Sequence, residues 1–520
     1  MKRGIIPLYK IGILFLEREF EHDVYELIRA FYPESSLSSF YAEDEVAECD
    51  LFFRVEEKDG NCLIRYENNE KKGVITAEFT EGQSSDALIS CDDREGAHSI
   101  RKERKDQLKI ALYHLLVKLT GKTLPWGNLT GIRPAKLAMG LIESGMKNTE
   151  VAREMRERYL VSPQKTALAI TIANREREIL KDIDYENGYS LYVGIPFCPS
   201  ICLYCSFSSY PLKQWKDKVD LYVEALCKEI REVSRMMKGR KLDTIYIGGG
   251  TPTTLEPYQL ERLLDCLSHQ FGYDGLLEFT VEAGRPDTIT ADKLQAMKER
   301  GITRISINPQ TLNDEVLKLI GRDHTTQQTL DAFHLARAHG FDNINMDLIV
   351  GLAGDSVESF RNTLDGVVAL HPESITVHTL ALKRSSNINK NGKIHFINDG
   401  EGAGQMLDYV DTVLTKQNYI PYYLYRQSRM VGNLENTGWA KPGYENYYNV
   451  YIMDESHTIL ACGAGAVSKI KHPYKDELQR IFNFKFPYEY IDRYQEMLDR
   501  KEKVKSIYKQ FLLSSAQSSN

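Results

Sequence analysis

The sequence has 520 residues, of which 42% are hydrophobic and 27% are charged, and its formal net charge is −7. This composition excludes a largely disordered chain, and the length predicts two to four domains. A net negative charge gives no electrostatic support for binding nucleic acid. The apolar run at residues 11–16 is too short for a signal sequence or a membrane span, so we expect a cytoplasmic protein.

The first 95 residues predict a small α+β domain. Short apolar stretches alternate with polar turns, and the turns at residues 58–61 and 68–73 are typical of hairpins. A helix is predicted over residues 21–31, because the chain reaches Pro33 directly afterwards. Nothing in this stretch indicates a chemistry of its own.

Residues 96–185 predict a helical region, since apolar residues recur with a period near 3.6 along residues 105–119. A loop at residues 125–134 leads into another predicted helix, residues 135–144. One interpretation is an anion-binding loop that uses backbone amides and Arg133. The other is a loop that Trp126 fixes to the core, with Arg133 in an internal salt bridge, and we favour this second interpretation.

Residues 186–385 alternate between strand and helix patterns six times. The strands are predicted at residues 191–195, 244–247, 278–282, 304–307, 343–350 and 374–380, with helices at 219–237, 258–271, 291–300, 326–339 and 357–370. This rhythm predicts an α/β fold with a parallel sheet, in the form of a partial (β/α)6 barrel that reacts at the carboxyl ends of its strands. Residues 386–520 break the pattern and predict a C-terminal α+β extension that covers the active site.

Three cysteines follow the first of these strands on one short loop. Cys198, Cys202 and Cys205 have the spacing C-x3-C-x2-C. Cysteine sulfur is the usual ligand of iron–sulfur clusters, and three thiolates hold three irons of a [4Fe–4S] cube while the fourth stays open to a small molecule. A zinc knuckle with one distant ligand and a set of structural thiols are the alternatives. The next two cysteines, Cys227 and Cys266, lie singly in helix-like segments.

A glycine-rich turn and several polar residues stand at the ends of the later strands. The turn, Gly248-Gly249-Gly250-Thr251, permits close approach of a ligand to the backbone, or is simply a tight turn. Acidic and amide side chains can bind ribose hydroxyls and an α-ammonium group, and an arginine can pair with a carboxylate. Their shared placement favours one ligand site over separate helix caps or salt bridges, and the residues are Glu282, Gln310, Arg322 and Asp347.

These motifs together resemble the oxygen-independent coproporphyrinogen III oxidases of the radical S-adenosylmethionine (SAM) superfamily. The resemblance covers about residues 191–468, and the segments at 129–134 and 432–436 are similar to those of the branch called HemZ. It implies a radical SAM barrel, a [4Fe–4S] cluster with three cysteine ligands, and SAM on the fourth iron, with a second SAM possible.

The resemblance also implies roles for individual residues. It assigns Cys198, Cys202 and Cys205 to the cluster, and it assigns the SAM contacts to Tyr192, Tyr204, Gly249, Gly250, Thr251, Glu282, Gln310, Arg322, Asp347, Ala381 and Val467. Two departures from the family pattern concern the second SAM. Gly194 stands where the family has a histidine, and Asn308-Pro309 replaces Gly-Val.

The implied reaction is the conversion of coproporphyrinogen III to protoporphyrinogen IX by a 5′-deoxyadenosyl radical. A flavodoxin- or ferredoxin-type protein is the implied electron donor, and we expect neither a nucleic-acid partner nor a membrane span. Propionate groups of such a substrate need cations, and Arg384, Arg426, Arg429 and Lys441 are candidates. They are also explained as solvated surface charges, and we favour this second interpretation.

Two other functions compete with this one. The first is a haem chaperone related to these oxidases, although residues 448–452 lack the histidine and tryptophan of the chaperone pattern. The second is another radical SAM reaction on a tetrapyrrole, such as haem breakdown by methyl transfer.

Overall fold

The structure is a computed structural model that describes residues 9–58, 61–68, 72–77, 93–131, 133–381, 400–427 and 430–517. The described chain forms two compact units. The first extends to Ile170 and includes Gly432–Leu434, and the second contains the remaining residues from Thr171 onwards. The finer division at residues 95, 185 and 385 stays a prediction.

The first unit contains a five-stranded sheet with two helices. Its strands are β1 (Lys10–Phe15), β2 (Ser36–Phe40), β3 (Leu51–Lys58), β4 (Asn61–Asn68) and β5 (Lys72–Ala77), in the order β2-β1-β3-β4-β5. β3, β4 and β5 pair antiparallel, as the two predicted hairpins require. Helix α1 (Glu21–Phe31) has the predicted bounds, and α2 (Asp93–Thr120) packs with it against apolar strand residues such as Phe53 and Ile64.

Three further helices follow, α3 (Pro134–Glu143), α4 (Asn148–Glu157) and α5 (Pro163–Leu180). The loop before α3 is tied to its surroundings. Trp126 is fully buried, and a Cβ at Gly127, whose φ is +56°, would lie 2.0 Å from the Tyr159 carbonyl oxygen. The Asn128 side chain donates to the Arg158 carbonyl at 3.3 Å. These contacts support the interpretation of a loop fixed to the core.

The second unit is built on six parallel strands in sequential order. These are β6 (Gly188–Ile195), β9 (Lys241–Gly249), β10 (Glu278–Glu282), β11 (Arg304–Ser306), β12 (Ile344–Val350) and β13 (Ser374–Thr379). The helices between them are α6 (Val219–Met236), α7 (Pro257–Phe271), α8 (Ala291–Glu299), α9 (Asp314–Leu319), α10 (Thr326–Ala338) and α11 (Val357–Ala369). The predicted β/α alternation is therefore confirmed, and α9 is the helix that the sequence pattern missed.

The C-terminal region extends this sheet at both edges. β14 (Ile420–Tyr425) and β15 (Asn436–Ala440) continue it beyond β13, and β16 (Thr458–Cys462) pairs parallel with β6. β17 (Val467–Lys471) and β18 (Leu478–Phe482) then pair antiparallel at that edge. In the described part of this region there are four α-helices, α12 (Gly400–Lys416), α13 (Tyr447–Asp454), α14 (Pro487–Asp492) and α15 (Tyr494–Gln517). No helix within the described ranges is long and apolar enough to span a membrane.

The parallel strands alternate between apolar and polar side chains. One set, including Leu191, Ile245, Val281, Ile305 and Leu348, has no exposed surface. The strand register places the polar set on the opposite face, and it comprises Ser190, Tyr192, Thr244, Tyr246, Thr280, Glu282, Ser306, Asn345, Asp347 and Thr376. One face of the sheet therefore forms a hydrophobic layer, and the other supplies the polar groups of the candidate site.

Candidate active site

The three cysteines lie on a loop that neighbouring backbone holds in place. After β6, Phe197–Cys198 (β7) pairs with Tyr210–Pro211 (β8), which closes the loop at its base. The Leu203 amide donates to the Ile320 carbonyl at 3.0 Å, and the Ser200 hydroxyl donates to the Gly321 carbonyl at 3.3 Å. The loop is therefore anchored at both its base and its tip.

Burial determines the protonation of two thiols of this loop. Burial raises the pKa of Cys198 to about 11 and also raises the pKa of Cys205, so both are neutral thiols until a metal displaces their protons. Across the ranges given above, no three His, Cys, Asp or Glu side chains converge to hold a single metal ion. A cubane does not need such convergence, since each thiolate binds its own iron.

The glycine-rich turn lies directly against the cysteine loop. The Gly250 amide donates to the Ile195 carbonyl at 2.7 Å, and the Thr251 amide donates to the Phe197 carbonyl at 2.7 Å. A Cβ at Gly250 would lie 3.0 Å from the Cys198 sulfur and 2.6 Å from the Phe197 carbonyl oxygen. Only glycine fits here, and the cradle that it leaves beside the sulfur fits a cluster with a bound ligand.

Three stacked tyrosines and one carboxylate lie beside this turn. The Tyr246 hydroxyl donates to Glu282 Oε1 at 2.6 Å, and its ring stacks on Tyr448 with 4.5 Å between centroids. The Tyr192 ring is 6.3 Å from that of Tyr246 and 6.2 Å from that of Tyr448. Burial raises the pKa of Glu282 to about 7. The sequence analysis missed Tyr246 and Tyr448. Tyr246 has the same place in the period-2 alternation of β9 that Tyr192 has in β6, and the two pair in the sheet. No local pattern marks Tyr448.

Arg322 connects the cysteine loop, through Tyr204, to backbone carbonyls of two other segments. Its guanidinium donates to the Asn308 carbonyl at 2.7 Å, the Gly284 carbonyl at 3.3 Å and the Tyr204 hydroxyl at 3.3 Å. Burial alone would lower its pKa, but Tyr204 and Cys202 raise it overall. Arg322 was expected to pair with a carboxylate, whereas the bonds observed here lead to two carbonyls and a phenol. Its contact with SAM stays a prediction.

Gln310 and Asp347 are brought together on adjacent segments. Gln310 has a φ of +68°, and its amide donates to the Asp347 carbonyl at 2.9 Å. Its buried side-chain oxygen has no hydrogen-bond donor within the described ranges, so a ligand hydroxyl or ammonium group would satisfy it. Burial alone would raise the pKa of Asp347, but hydrogen bonds from His378, Asn345 and Thr376 lower it overall.

The last two predicted SAM contacts lie towards opposite edges of the sheet. Ala381 lies two residues after the end of β13 and forms a bridge with Met430, and Val467 begins β17. Gly194, at a position of departure from the family pattern, lies under the turn after β16. A Cβ at Gly194 would be 3.3 Å from the Tyr192 ring and 3.4 Å from the Cys462 carbonyl oxygen. A histidine side chain here would crowd both the Tyr192 ring and the Cys462 carbonyl oxygen.

The candidate cations for substrate carboxylates differ from expectation. Arg426 is buried rather than on the surface, and burial lowers its pKa to about 10. Lys441 donates to the His371 carbonyl at 2.9 Å and lies 3.9 Å from Glu373. Arg384 and Arg429 lie outside the described residues. The solvated-charge interpretation is therefore wrong for Arg426, and Lys441 has a structural partner.

A buried arginine that the sequence analysis missed also supports the cysteine loop. Arg285 forms a two-point ion pair with Asp287, at 2.9 and 3.0 Å, and donates to the Ser200 hydroxyl at 3.1 Å. The segment Arg285-Pro286-Asp287 lies shortly after the end of β10, but it belongs to none of the motifs recognised in the sequence. Because Ser200 lies between Cys198 and Cys202, Arg285 is a positioning residue for the loop.

Arg285→Lys is expected to weaken the hold on a reconstituted cluster, because lysine lacks the fork that reaches Asp287 and Ser200 together. We expect a chelator to remove iron about 10-fold faster, the scale of losing a supporting contact around a metal site. The matched control is Arg300→Lys, which changes an arginine that pairs with Asp265 at 2.7 Å between α7 and α8. Equal iron-loss rates in the two variants would contradict a role for Arg285 in positioning.

Comparisons with known proteins agree with this geometry. Residues 192–367 match the model of the radical SAM superfamily. The chain is 37% identical over 478 residues to the oxygen-independent coproporphyrinogen-III oxidase-like protein HemZ of Bacillus subtilis (strain 168), covering 91% of this chain and 93% of that protein. It is 31% identical over 309 residues to the heme chaperone HemW of the same organism, covering 58% and 77%.

A solved structure shows the same architecture. Coproporphyrinogen III oxidase (HemN) from Escherichia coli, a radical SAM enzyme, superposes with a TM-score of 0.50 at 25% sequence identity. The match covers 62% of this chain and 72% of that one.

Proposed function

We infer the function of this protein from the family to which it belongs, the oxygen-independent coproporphyrinogen III oxidase-like proteins of the radical SAM superfamily. Members of this superfamily use a [4Fe–4S] cluster and SAM. When bound, the cluster and SAM would supply radical chemistry, namely the removal of a hydrogen atom from the substrate. The residues of this chain would bind, orient and enclose the cluster and SAM.

We assign the cluster to Cys198, Cys202 and Cys205. The support is their common loop, anchored at base and tip, and the cradle beside the Cys198 sulfur that Gly250 leaves open. We assign the SAM α-ammonium to Glu282, which lies next to the glycine-rich turn and accepts one hydrogen bond from Tyr246. Gln310 and Asp347 supply acceptors for ribose hydroxyls, and Gly249 and Gly250 supply backbone groups.

The substrate that we propose is coproporphyrinogen III, with protoporphyrinogen IX as product. The observation that carries this choice is 37% identity to a HemZ protein along 91% of the chain, which includes both compact units. Each of two propionate side chains would lose a hydrogen atom to the SAM-derived radical, CO2 to solution and one electron to an oxidised one-electron acceptor, which leaves a vinyl group. We place the reaction in the cytoplasm, with a reduced flavodoxin- or ferredoxin-type donor.

The test is anaerobic turnover of coproporphyrinogen III with SAM, followed by mass spectrometry. We expect 5′-deoxyadenosine, methionine and a tetrapyrrole that has lost two carboxyl groups, and none of these with Cys202→Ala. SAM cleavage with an unchanged tetrapyrrole would overturn the choice of substrate but leave the radical chemistry intact.

A second candidate function is haem delivery, which the 31% identity to HemW supports. It predicts stoichiometric binding of haem and its transfer to an acceptor protein, without decarboxylation. Against this function, residues 448–452 lack the histidine and tryptophan of the chaperone pattern.

SAM binding is expected to tighten as the pH rises from 6 to 8. Because burial raises the pKa of Glu282 to about 7, the folded protein keeps a proton on this carboxyl that the SAM ammonium must displace. Above this pKa the carboxylate is already ionised, so the proton no longer opposes binding. Isothermal titration with SAM should show the pH dependence in the native protein. Glu282→Gln should show weaker binding and lose the change centred near the Glu282 pKa, which leaves only the titration of the SAM α-amino group itself, at about pH 7.7–8.0. A native affinity independent of pH would contradict the assignment.

A further inference from the structure

A group of partly exposed aromatic side chains lies beside the cysteine loop. Phe207, two residues after Cys205, is 75% exposed, which is unusual for a large apolar side chain. Tyr210 lies in β8, and that strand pairs with β7 and its Cys198. The Ser209 amide donates to the Phe207 carbonyl at 2.9 Å. Phe207 and Tyr210 therefore lie next to the proposed cluster ligands, in sequence and through strand pairing.

Two more chain segments complete this surface. The Tyr210 ring lies 5.8 Å from the Trp215 ring and 6.4 Å from the Phe486 ring. Phe486 stacks on Tyr488 at 5.6 Å, and both are exposed. We call these five residues the aromatic patch, Phe207, Tyr210, Trp215, Phe486 and Tyr488.

Lysines border the aromatic patch. Lys213 and Lys216 flank Trp215, Lys218 follows, and all three are exposed. Lys485 Nζ lies 5.9 Å from the Phe486 ring. Asp217 is the one carboxylate within the run from Lys213 to Lys218.

The carboxylates that flank this border are engaged elsewhere. Glu489 pairs with Arg493 at 3.3 Å, and Asp220 accepts hydrogen bonds from Tyr258 and Gln259. Within the described ranges, the ion pairs of the structure include none formed by Lys213, Lys216 or Lys218. The three lysines therefore present positive charge to solvent, which Asp217 offsets only in part within this run.

We propose that the aromatic patch and its lysines dock a small acidic flavin protein that delivers electrons to the cluster. This inference rests on the proposed cluster assignment. The whole chain carries a formal charge of −7, so an acidic carrier would be repelled in general and needs a local positive surface to steer it. An aromatic centre with a charged rim is also the composition of a specific interface. We choose a flavin carrier because the exposed edge of a flavin is apolar and aromatic, as are the exposed rings of Phe207, Phe486 and Tyr488.

The transfer balances as a single-electron step. The reduced flavin of the carrier loses one electron, the cluster gains that electron, and no covalent bond forms or breaks. The chain supplies only the contact surface, and the short path from Tyr210 and Phe207 to Cys198 and Cys205 keeps the two redox groups near each other.

The experiment compares two double variants of the reconstituted full-length protein. Lys213→Glu with Lys216→Glu reverses the charge beside the patch. Lys238→Glu with Lys416→Glu is the control, because these exposed lysines follow α6 and end α12, just before the amino-terminal ends of β9 and β14. Three quantities are measured, namely the affinity for a reduced flavodoxin by calorimetry at two salt concentrations, the rate of cluster reduction by stopped flow, and SAM cleavage driven by dithionite.

We expect the patch variant to lose about 10-fold in flavodoxin affinity and reduction rate, with a weaker salt dependence, while the control variant matches the native protein. Dithionite needs no docking, so dithionite-driven SAM cleavage should be unchanged in both. Phe207→Ala should weaken binding without changing its salt dependence. Native affinity in the patch variant would overturn the proposal, as would a defect seen with an acidic ferredoxin but not with flavodoxin. Loss of dithionite-driven cleavage in the native protein would instead contradict the proposed function, and the calorimetry would still decide the docking.

Discussion

Cys202→Ala is expected to reduce SAM cleavage to background and to leave the protein without a stable [4Fe–4S] cluster. Cys202 is the middle ligand of the proposed set and is 9% exposed, so alanine would leave one iron without its protein ligand at a buried position. Its loop has few ways to compensate, because the Leu203 and Ser200 contacts to residues 320 and 321 fix it in place. Iron and sulfide content, the visible absorption of the cluster and 5′-deoxyadenosine formation measure the effect.

The matched control for this variant is Cys266→Ala. Cys266 lies in α7, where its thiol donates to the Cys227 carbonyl of α6 at 3.6 Å, so these two cysteines meet although each stands alone in the sequence. Removing this thiol should leave iron content and SAM cleavage near the native values. A Cys202→Ala protein that keeps four irons and cleaves SAM would show that the cluster has other ligands.

Lys501→Met is expected to destabilise the second unit by about 3–5 kcal/mol, the usual cost of removing one partner from a buried ion pair. Lys501 and Glu229 have no exposed side-chain surface, and Lys501 Nζ lies 3.2 Å from Glu229 Oε1. Glu229 also accepts hydrogen bonds from the Gly463 amide at 2.8 Å, from Asn483 at 2.9 Å and from the Tyr490 hydroxyl at 2.5 Å. Without the lysine, this carboxylate would be a buried charge with no opposite charge beside it.

This ion pair also connects the C-terminal helix to the candidate site. The turn that Glu229 holds at Gly463 continues to Ala464, whose amide donates to the Tyr222 hydroxyl at 2.9 Å. Tyr222 in turn donates to the Gly194 carbonyl at 2.7 Å, four residues before Cys198. We therefore expect Lys501→Met to weaken SAM binding as well as stability.

Urea unfolding, followed by a probe in the second unit, measures the stability effect. Lys505→Met is the control on the same helix, because Lys505 forms an exposed pair with Glu502 that should contribute less than about 1 kcal/mol. Combining Lys501→Met with Glu229→Gln should restore part of the loss, since the second change removes the unpaired charge. Equal unfolding midpoints for the Lys501 and Lys505 variants would contradict the account.

Local patterns in the sequence predict much of the fold. The bounds of α1 and β10 match the prediction, because each has a periodic apolar face and a clear stop signal. The order of the six parallel strands follows from their alternation with helices. The cysteine loop and the glycine-rich turn were also found locally, and the structure places them in contact through Gly250.

The features that the sequence analysis missed depend on contacts between distant segments. No local pattern shows that β16 pairs with β6, more than 260 residues earlier. The same holds for Tyr448 on Tyr246 and for Lys501 with Glu229. For Tyr246, by contrast, the sequence did contain an indication. The period-2 alternation in β6 and β9 indicated a polar face of the sheet, which a parallel sheet buried on both faces would not show.

The central claim is that the chain supplies three ligands to a four-iron cluster and leaves one iron for SAM. Mössbauer spectroscopy of anaerobically reconstituted protein, recorded with and without SAM, tests it most directly. The account predicts four irons per chain and a change at one of them when SAM is added. A spectrum of four irons that SAM leaves unchanged, or a protein that assembles no cluster, would contradict it.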